Sequence, residues 1–377
     1  MSLTVLVADD SILYRRALAE ALASLPDVQV VGAVGNGKLA LQRIRDLRPD
    51  LVTLDMEMPE MDGLAVLDAL RQSNGAAPAV IVVSGLTKAG GQLTLKALEK
   101  GAFDFITKPD TSNAQLSLEA LRRELAPRVR ALAHRLEVRQ ILRSKVPPQT
   151  ATAGAIRAGV PARPPRTNLE EIAGRMSRLA SPTKADLVVI GVSTGGPNAL
   201  ALLLPQIPGN LGVPLLVVQH MPPIFTQSLA ESLAAKCALR VREASAGERV
   251  QPNTVYIAPG GAQMRVAAPA EGGMVVQITD DPPENNCRPA VDYLFRSVAN
   301  HFTGQVLAVI LTGMGSDGTT GVRLLKRKGC MVIAQDEASC VVFGMPKAAI
   351  EAGVVDEVVS LDLIATRITA LVRGGKP

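Results

Sequence analysis

Leu187-Val188-Val189-Ile190-Gly191-Val192-Ser193-Thr194-Gly195-Gly196 places this chain among the α/β folds. Its short apolar run is too brief for a helix and reads as a buried strand, and a hydroxyl residue and glycines follow at once. Two later runs end in the same manner: Val213 to Val218 leads into His220, and Val306 to Leu311 leads, through a glycine-rich segment, into Asp317. In open α/β sheets ligands sit outside the carboxyl ends of the strands, so residues delivered by separate strands converge on one crevice. Ser193, His220 and Asp317 are the residue types of nucleophilic hydrolysis.

Each of the three also has a plainer reading. Gly191 to Gly195 satisfies G-x-S-x-G, a strained strand-to-helix turn that exposes a nucleophile. A Gly/Ser/Thr-rich loop that closes such a turn, or cradles phosphate on backbone N–H groups, fits the same residues. The chain has three histidines. His134 falls in a basic linker, and His301 ends the helix-like segment Val291 to His301, where a cation complements the helix dipole. His220 directly follows a strand and precedes Met221-Pro222-Pro223, which keeps a helix from starting at once; the alternative is a histidine satisfied by local backbone groups. Asp317-Gly318 alone is a turn signal. As a third member, Asp317 is expected to accept the Nδ1 proton of His220 and fix its tautomer, with N–H groups of the glycine-rich loop available for an oxyanion. The order Ser, His, Asp differs from that of α/β-hydrolases, which disfavours that fold.

At 377 residues and 47% apolar, the chain can build two domains with separate cores. With no Trp and 2% aromatics, those cores must consist of Ala, Leu, Val, Ile and Met. Cys237, Cys287, Cys330 and Cys340 show no zinc spacing, and the N-terminus reaches Asp9 and Asp10 too soon for a signal peptide or membrane span, so reduced, buried thiols in a cytoplasmic protein are expected. The net charge of +5 suggests a nucleic-acid binder until it is located: residues 126–184 hold twelve Lys/Arg against three Asp/Glu, and the remainder is net acidic. That stretch, with Pro147, Pro148, Pro161, Pro164 and Pro165, reads as a solvated linker.

The first half repeats the strand-to-helix alternation. Leu3 to Val7, Val28 to Val31, Leu51 to Leu54, Val80 to Val83 and Phe103 to Ile106 are strand-like runs separated by helix-length segments, the first helix starting at Ser11. Asp9 and Asp10 follow the first run, Asp55 the third, Ser84 the fourth and Lys108 the fifth. Aspartates at strand ends also start turns and cap helices. Carboxylates gathered at one sheet edge repel, and Mg²⁺ with oxygen ligands relieves that repulsion; a carboxylate can then accept a phosphoryl group while Lys108 and Ser84 hold its oxygens.

Asp9-Asp10, Asp55 with Met58-Pro59 and Asp62-Gly63, Ser84-Gly85 and Lys108-Pro109 resemble the response-regulator receiver pattern. The resemblance implies phosphorylation of Asp55 by a histidine kinase, Mg²⁺ held by Asp10, Asp55 and the Glu57 carbonyl with help from Asp9, and a switch through Ser84, Phe105 and Lys108. Phe105 lacks the hydroxyl of a tyrosine-type switch. In the second half Ser193-Thr194-Gly195-Gly196, Gln219-His220-Met221-Pro222, Ala258-Pro259-Gly260, Arg288-Pro289-Ala290-Val291-Asp292, Leu311-Thr312-Gly313-Met314-Gly315 and Phe343-Gly344-Met345-Pro346 resemble the chemotaxis protein-glutamate methylesterase family, CheB. That resemblance implies a phosphorylation-activated serine hydrolase that releases methanol from glutamate methyl esters on chemoreceptors and deamidates receptor glutamines. Ser193 would be nucleophile, His220 base then acid, and Asp317 its orienter, with Met314 and Thr194 at the oxyanion hole. No cofactor is implied for the ester chemistry, and neither nucleic acid nor membrane insertion is expected. The unphosphorylated receiver would cover the Ser193 crevice.

The expected architecture is α/β, with two doubly wound parallel-sheet domains: a flavodoxin-like receiver at 1–125, a basic linker at 126–184 and a Rossmann-like methylesterase domain at 185–377. Two rival classes are a receiver with a DNA-binding output, against which stands the lack of a helix-turn-helix pattern in a roughly neutral second half, and a non-catalytic binding module, against which stand three intact triad positions.

Overall fold

The computed structural model describes residues 2–73, 77–109, 114–144, 184–269 and 272–374. In the first domain, β1 (Leu3–Ala8), β2 (Val28–Val34), β3 (Leu51–Asp55), β4 (Ala79–Ser84) and β5 (Asp104–Thr107) form a parallel sheet of order β2-β1-β3-β4-β5. The strands alternate with α1 (Ile12–Ala23), α2 (Gly37–Leu47), α3 (Gly63–Gln72) and α4 (Lys88–Glu99), and α5 (Ala114–Ser144) follows β5. Ser11 caps α1 as expected, its hydroxyl accepting from the Tyr14 N–H, and Asp62 caps α3 through the Ala65 N–H.

The second domain is a seven-stranded parallel sheet of order β14-β13-β12-β6-β7-β9-β8. Its strands are β6 (Leu187–Val192), β7 (Leu215–Gln219), β8 (Arg240–Glu243), β9 (Thr254–Ile257), β12 (Val306–Ile310), β13 (Met331–Gln335) and β14 (Glu357–Val359). Helices α6 (Gly196–Leu203), α7 (Phe225–Ala234), α8 (Val291–His301), α9 (Thr319–Arg327), α10 (Met345–Glu351) and α11 (Leu361–Arg373) connect or flank them. All residues of β6, β7 and β12 are buried, as covering both faces of a parallel sheet requires. The apolar run Met274 to Ile278 lies outside this sheet, in a separate antiparallel hairpin of β10 (Gln263–Ala267) with β11 (Val275–Thr279).

The sheet order explains why the chemistry gathers where it does. From β6 the chain builds outward through β7 and β9, then returns to place β12 on the other side of β6, so the crevice opens beside the carboxyl end of β6. In the first sheet β1 lies between β2 and β3, which brings Asp9, Asp10 and Asp55 to one edge.

One boundary differs from expectation. Residues 126–144, assigned to the linker, continue α5 as helix through Pro127. Val129 and Leu132 are buried and join Leu121, Leu125 and Val342 in one core cluster. A helix needs apolar residues on one face only, so Arg128 and Arg130, interleaved with the buried Val129 and Leu132, mask the pattern. The rest of the linker, 145–183, lies outside the described residues.

Candidate functional site

Ser193 leaves β6 in a turn built for close approach. Gly195 caps α6 with φ 78°, and side chains at Gly195 and Gly196 would collide with Val341 and Gln219 respectively. The Ser193 N–H donates to the Thr312 carbonyl at 3.0 Å, tying the β6 turn to the loop after β12. Val192 and Gln219 are partners across β6 and β7, so His220 arrives beside Ser193. The buried Gln219 amide then donates at 3.1 Å to both the Ser193 and the His220 carbonyl, holding the two turns in register.

Asp317, almost fully buried, is pinned by four donors. Its Oδ1 accepts from Asn285 Nδ2 at 2.8 Å and from the Asp292 and Gly318 N–H groups at 3.0 Å, and its Oδ2 accepts from the Val291 N–H at 2.7 Å. Val291 and Asp292 open α8, so the carboxylate sits at a helix N-terminus, where unsatisfied N–H groups and the dipole favour negative charge. Burial pushes its carboxyl up, but His220 and these N–H groups hold it below the ordinary carboxylate value.

His220 Nε2 lies 2.8 Å from Asp317 Oδ2. This corrects the expectation that Nδ1 faces the carboxylate: Nδ1 points to Cys287 Sγ, 3.5 Å away. Burial lowers the imidazole's proton affinity, yet the hydrogen bonds to Asp317 and Cys287 overcome it and raise the pKa to about 9. The Ser193 hydroxyl has no hydrogen-bond partner among the described residues, so Ser193 neighbours the His220–Asp317 pair without yet being joined to it. The Thr194 and Met314 N–H groups, expected to face an oxyanion, donate to no acceptor among the described residues and are free for one.

Asn285 and Cys287 escaped the sequence reading. Asn285 and Asn286 have φ of 53° and 59°, and Glu284 and Cys287 exchange backbone hydrogen bonds across them, a two-residue turn of the kind Asn favours. That turn delivers Asn285 to Asp317 and Cys287 to His220. The Asn-Asn dipeptide was the available signal. All four cysteines are unpaired; Cys330 and Cys340 are buried as expected, whereas Cys237 and Cys287 are partly exposed.

At the other sheet edge, Asp9, Asp10 and Asp55 each offer a carboxylate oxygen within 4.8 Å of the others. Lys108 Nζ lies 2.6 Å from Asp55 Oδ2 and 3.2 Å from Asp9 Oδ2, and that Asp9 oxygen is buried without a hydrogen bond. One ammonium cannot neutralise three carboxylates. Burial, then the neighbouring Asp55, raises the Asp9 pKa to about 6, and burial raises Asp55 too. An all-oxygen donor set with excess negative charge and an orphaned oxygen fits a hard divalent cation such as Mg²⁺. Glu57, expected to contribute its carbonyl, follows Asp55 closely and donates its N–H to Asp55 Oδ1 at 3.4 Å. Ser84 Oγ donates to the Gly90 carbonyl at 3.2 Å.

The two sites are joined through packed contacts. Phe105 stacks on Phe225 of α7 with ring centroids 4.8 Å apart and planes at 22°. Next to Phe105, Asp104 accepts from Thr194 Oγ1 at 3.1 Å and pairs with Arg128 at 2.9 Å. Glu99 holds Ser232 at 2.8 Å and Lys236 at 2.6 Å. Met314 and Val341 pack on the core cluster that contains the α5 residues Leu125 and Val129. A cleft of about 690 Å³ lies between Arg130 and His134 of α5 and Met314 and Phe343 beyond it. Of these linking residues, Phe105, Thr194 and Met314 are site candidates in the sequence, whereas Phe225, Asp104, Arg128, Glu99, Ser232 and Lys236 carry no such signal.

Residues 188–368 match the family model described as CheB methylesterase, and residues 5–119 match the response regulator receiver domain. A protein-glutamate methylesterase/protein-glutamine glutaminase of Desulfotalea psychrophila is 48% identical over 373 residues, covering 99% of each chain. One so named from Koribacter versatilis is 42% identical over 363 residues, 96% of this chain and 93% of its own. The crystal structure of the Thermotoga maritima CheB methylesterase catalytic domain is 44% identical, covers 50% of this chain and 100% of that one, and has a TM-score of 0.49. Near-complete alignment with such relatives, together with both matched domains, makes this chain a member of the CheB methylesterase family.

Proposed function

We propose that this chain is a phosphorylation-controlled serine hydrolase that demethylates glutamate methyl esters on chemoreceptors and deamidates receptor glutamines. The observation that carries the reading is the His220–Asp317 pair, with the buried Asp317 pinned at a helix N-terminus, at the sheet edge where the Ser193 hydroxyl stands without a partner among the described residues. Ser193 Oγ attacks the ester carbon, and a neutral His220 takes its proton through the nitrogen not held by Asp317. The tetrahedral oxyanion receives the free N–H groups of Thr194 and Met314. His220 returns the proton to the departing methoxide, giving methanol and a glutamyl ester on Ser193. Water, deprotonated by His220, then releases glutamate and restores Ser193. With glutamine, ammonia leaves in place of methanol.

Asp55 is the phosphoryl acceptor, its attacking oxygen held by Lys108, and the donor is a chemotaxis histidine kinase. Asp9, Asp10, Asp55 and the Glu57 carbonyl would hold Mg²⁺, which when bound supplies positive charge to the carboxylates and the incoming phosphoryl oxygens. Ser84, Lys108 and Phe105 report phosphorylation to the Phe225 and Thr194 contacts, and the closed arrangement gives way when they shift. The reaction belongs in the cytoplasm, on the cytoplasmic part of a receptor; among the described residues no helix is long and apolar enough to cross a membrane.

The test is methanol release from a methylated receptor cytoplasmic fragment, with and without acetyl phosphate and Mg²⁺. The intact protein should release methanol faster with the phosphodonor, and Ser193→Ala should release none. Equal release by Ser193→Ala would sink the serine mechanism, and equal release with and without phosphodonor would sink the gating.

A further inference from the structure

We propose that His220, Cys287 and Asp317 form a zinc-binding site that, when loaded, withdraws the imidazole from Ser193 and arrests ester hydrolysis. One donor atom from each residue lies within 4.8 Å of the other two. A thiol, an imidazole and a carboxylate are the nitrogen, sulfur and oxygen donors from which zinc sites are built, whereas Mg²⁺ and Ca²⁺ select oxygen alone. The molecule therefore carries two chemically distinct clusters: the all-carboxylate Asp9, Asp10 and Asp55 set for a hard cation, and this mixed set for a borderline one.

The local geometry favours closure around a small ion. Tetrahedral zinc keeps neighbouring donors roughly 3.3–3.8 Å apart. Cys287 Sγ and His220 Nδ1 already stand 3.5 Å apart, and Asp317 Oδ2 is 2.8 Å from Nε2 on the ring's other side. Asp317 cannot move without breaking its bonds to Asn285, Val291, Asp292 and Gly318. Cys287 is fixed by the tight turn at Asn285-Asn286. The imidazole is thus the part that pivots, bringing one nitrogen to face both neighbours. Partners of this kind around a ligating carboxylate orient it for a metal.

Cys287 and His220 are partly exposed, which gives the ion an approach, and with three protein ligands the fourth position is left to water. Binding is a simple exchange: the Cys287 thiol and the protonated imidazole each yield a proton to solvent, the resulting thiolate, imidazole and the carboxylate bind through lone pairs, and nothing is oxidised or reduced. Zinc capture needs only this geometry; arrest of hydrolysis additionally rests on His220 being the esterase base.

The experiment uses reduced, metal-free full-length protein. Zinc is titrated in competition with a chromogenic chelator, and methanol release is followed in the same zinc series, for the unmodified chain, Cys287→Ser, Cys287→Ala and Asp10→Asn. The expected result is about one equivalent captured by the unmodified chain and by Asp10→Asn, with capture at least about tenfold weaker in both Cys287 variants. Half-inhibition of methanol release, each variant referred to its own zinc-free rate, should move to higher zinc by the same factor, and EDTA should restore the rate. Equal capture by the Cys287 variants overturns the site, as does loss of capture in Asp10→Asn. Capture that depends on Cys287 yet leaves methanol release untouched overturns the arrest and, with it, the role of His220 as base.

Discussion

Replacing Phe225 by leucine tests whether the aromatic contact between the domains holds the esterase closed. Phe105 and Phe225 are 5% and 0% exposed and stack at 4.8 Å. Leucine retains much of the apolar volume, so the loss is chiefly the aromatic pair's own interaction, about 0.5–1.5 kcal/mol. If that contact exists only in the closed arrangement, the closed-to-open ratio falls by roughly 2- to 13-fold. While the closed form dominates, basal methanol release without a phosphodonor rises by the same factor, and release with saturating acetyl phosphate and Mg²⁺ does not change. Phe105→Leu, made on the receiver side, should give a similar gain, and the double variant little more than either single one, because the stack is already lost. Single variants that leave basal release within twofold of the unmodified chain, with activation by phosphodonor intact, would refute the reasoning. So would a double variant whose gain is the product of the two singles.

Glu99→Gln should raise basal release by less than about fivefold at low salt, because a partly exposed ion pair with Lys236 contributes at most about 1 kcal/mol, and the gain should vanish near 1 M salt; a salt-independent gain would contradict it. Cys287→Ala removes one of the hydrogen bonds that lift His220 to about 9, so the rising limb of methanol release against pH should move below that of the unmodified chain; an unmoved limb would show that Cys287 does not tune the base. Asp9→Asn should stabilise the metal-free fold at pH 7 and less so at pH 4.5. The carboxyl, raised from 3.8 to about 6, contributes stability while protonated and loses it as pH climbs through that window, worth about 1–3 kcal/mol after allowance for solvent screening. A melting-temperature difference independent of pH between the two proteins would exclude that origin.

Most strands were legible because parallel sheets buried on both faces leave unbroken apolar runs, as at Leu187–Val192 and Val306–Ile310. Residues at their carboxyl ends could be picked out because so few types occur there. β8 was missed for the complementary reason. It is an edge strand reading Arg240-Val241-Arg242-Glu243, with Val241 alone buried, so it has no run to see. The continuation of α5 was hidden by arginines, one of which, Arg128, is the partner of Asp104.

The contacts between the domains were illegible at a deeper level. Phe225 looks like any core aromatic from sequence, and Asp104 like any carboxylate at the start of a strand; what makes them informative is that one meets Phe105 and the other Thr194, and an apolar or polar pattern says that a residue is buried without saying by what. The same limit explains Asn285 and Cys287. They lie far from His220 and Asp317 along the chain, in a turn with no periodicity, and only the closure of that turn against the first turn of α8 brings them to those two side chains. Strand-end chemistry is written locally, since each strand carries its own residue to the edge. The tuning of that chemistry depends on pairs of surfaces, so Cys287 on His220 and Asp104 on Thr194 are where substitutions should alter pH response and gating while Ser193 itself stays in place.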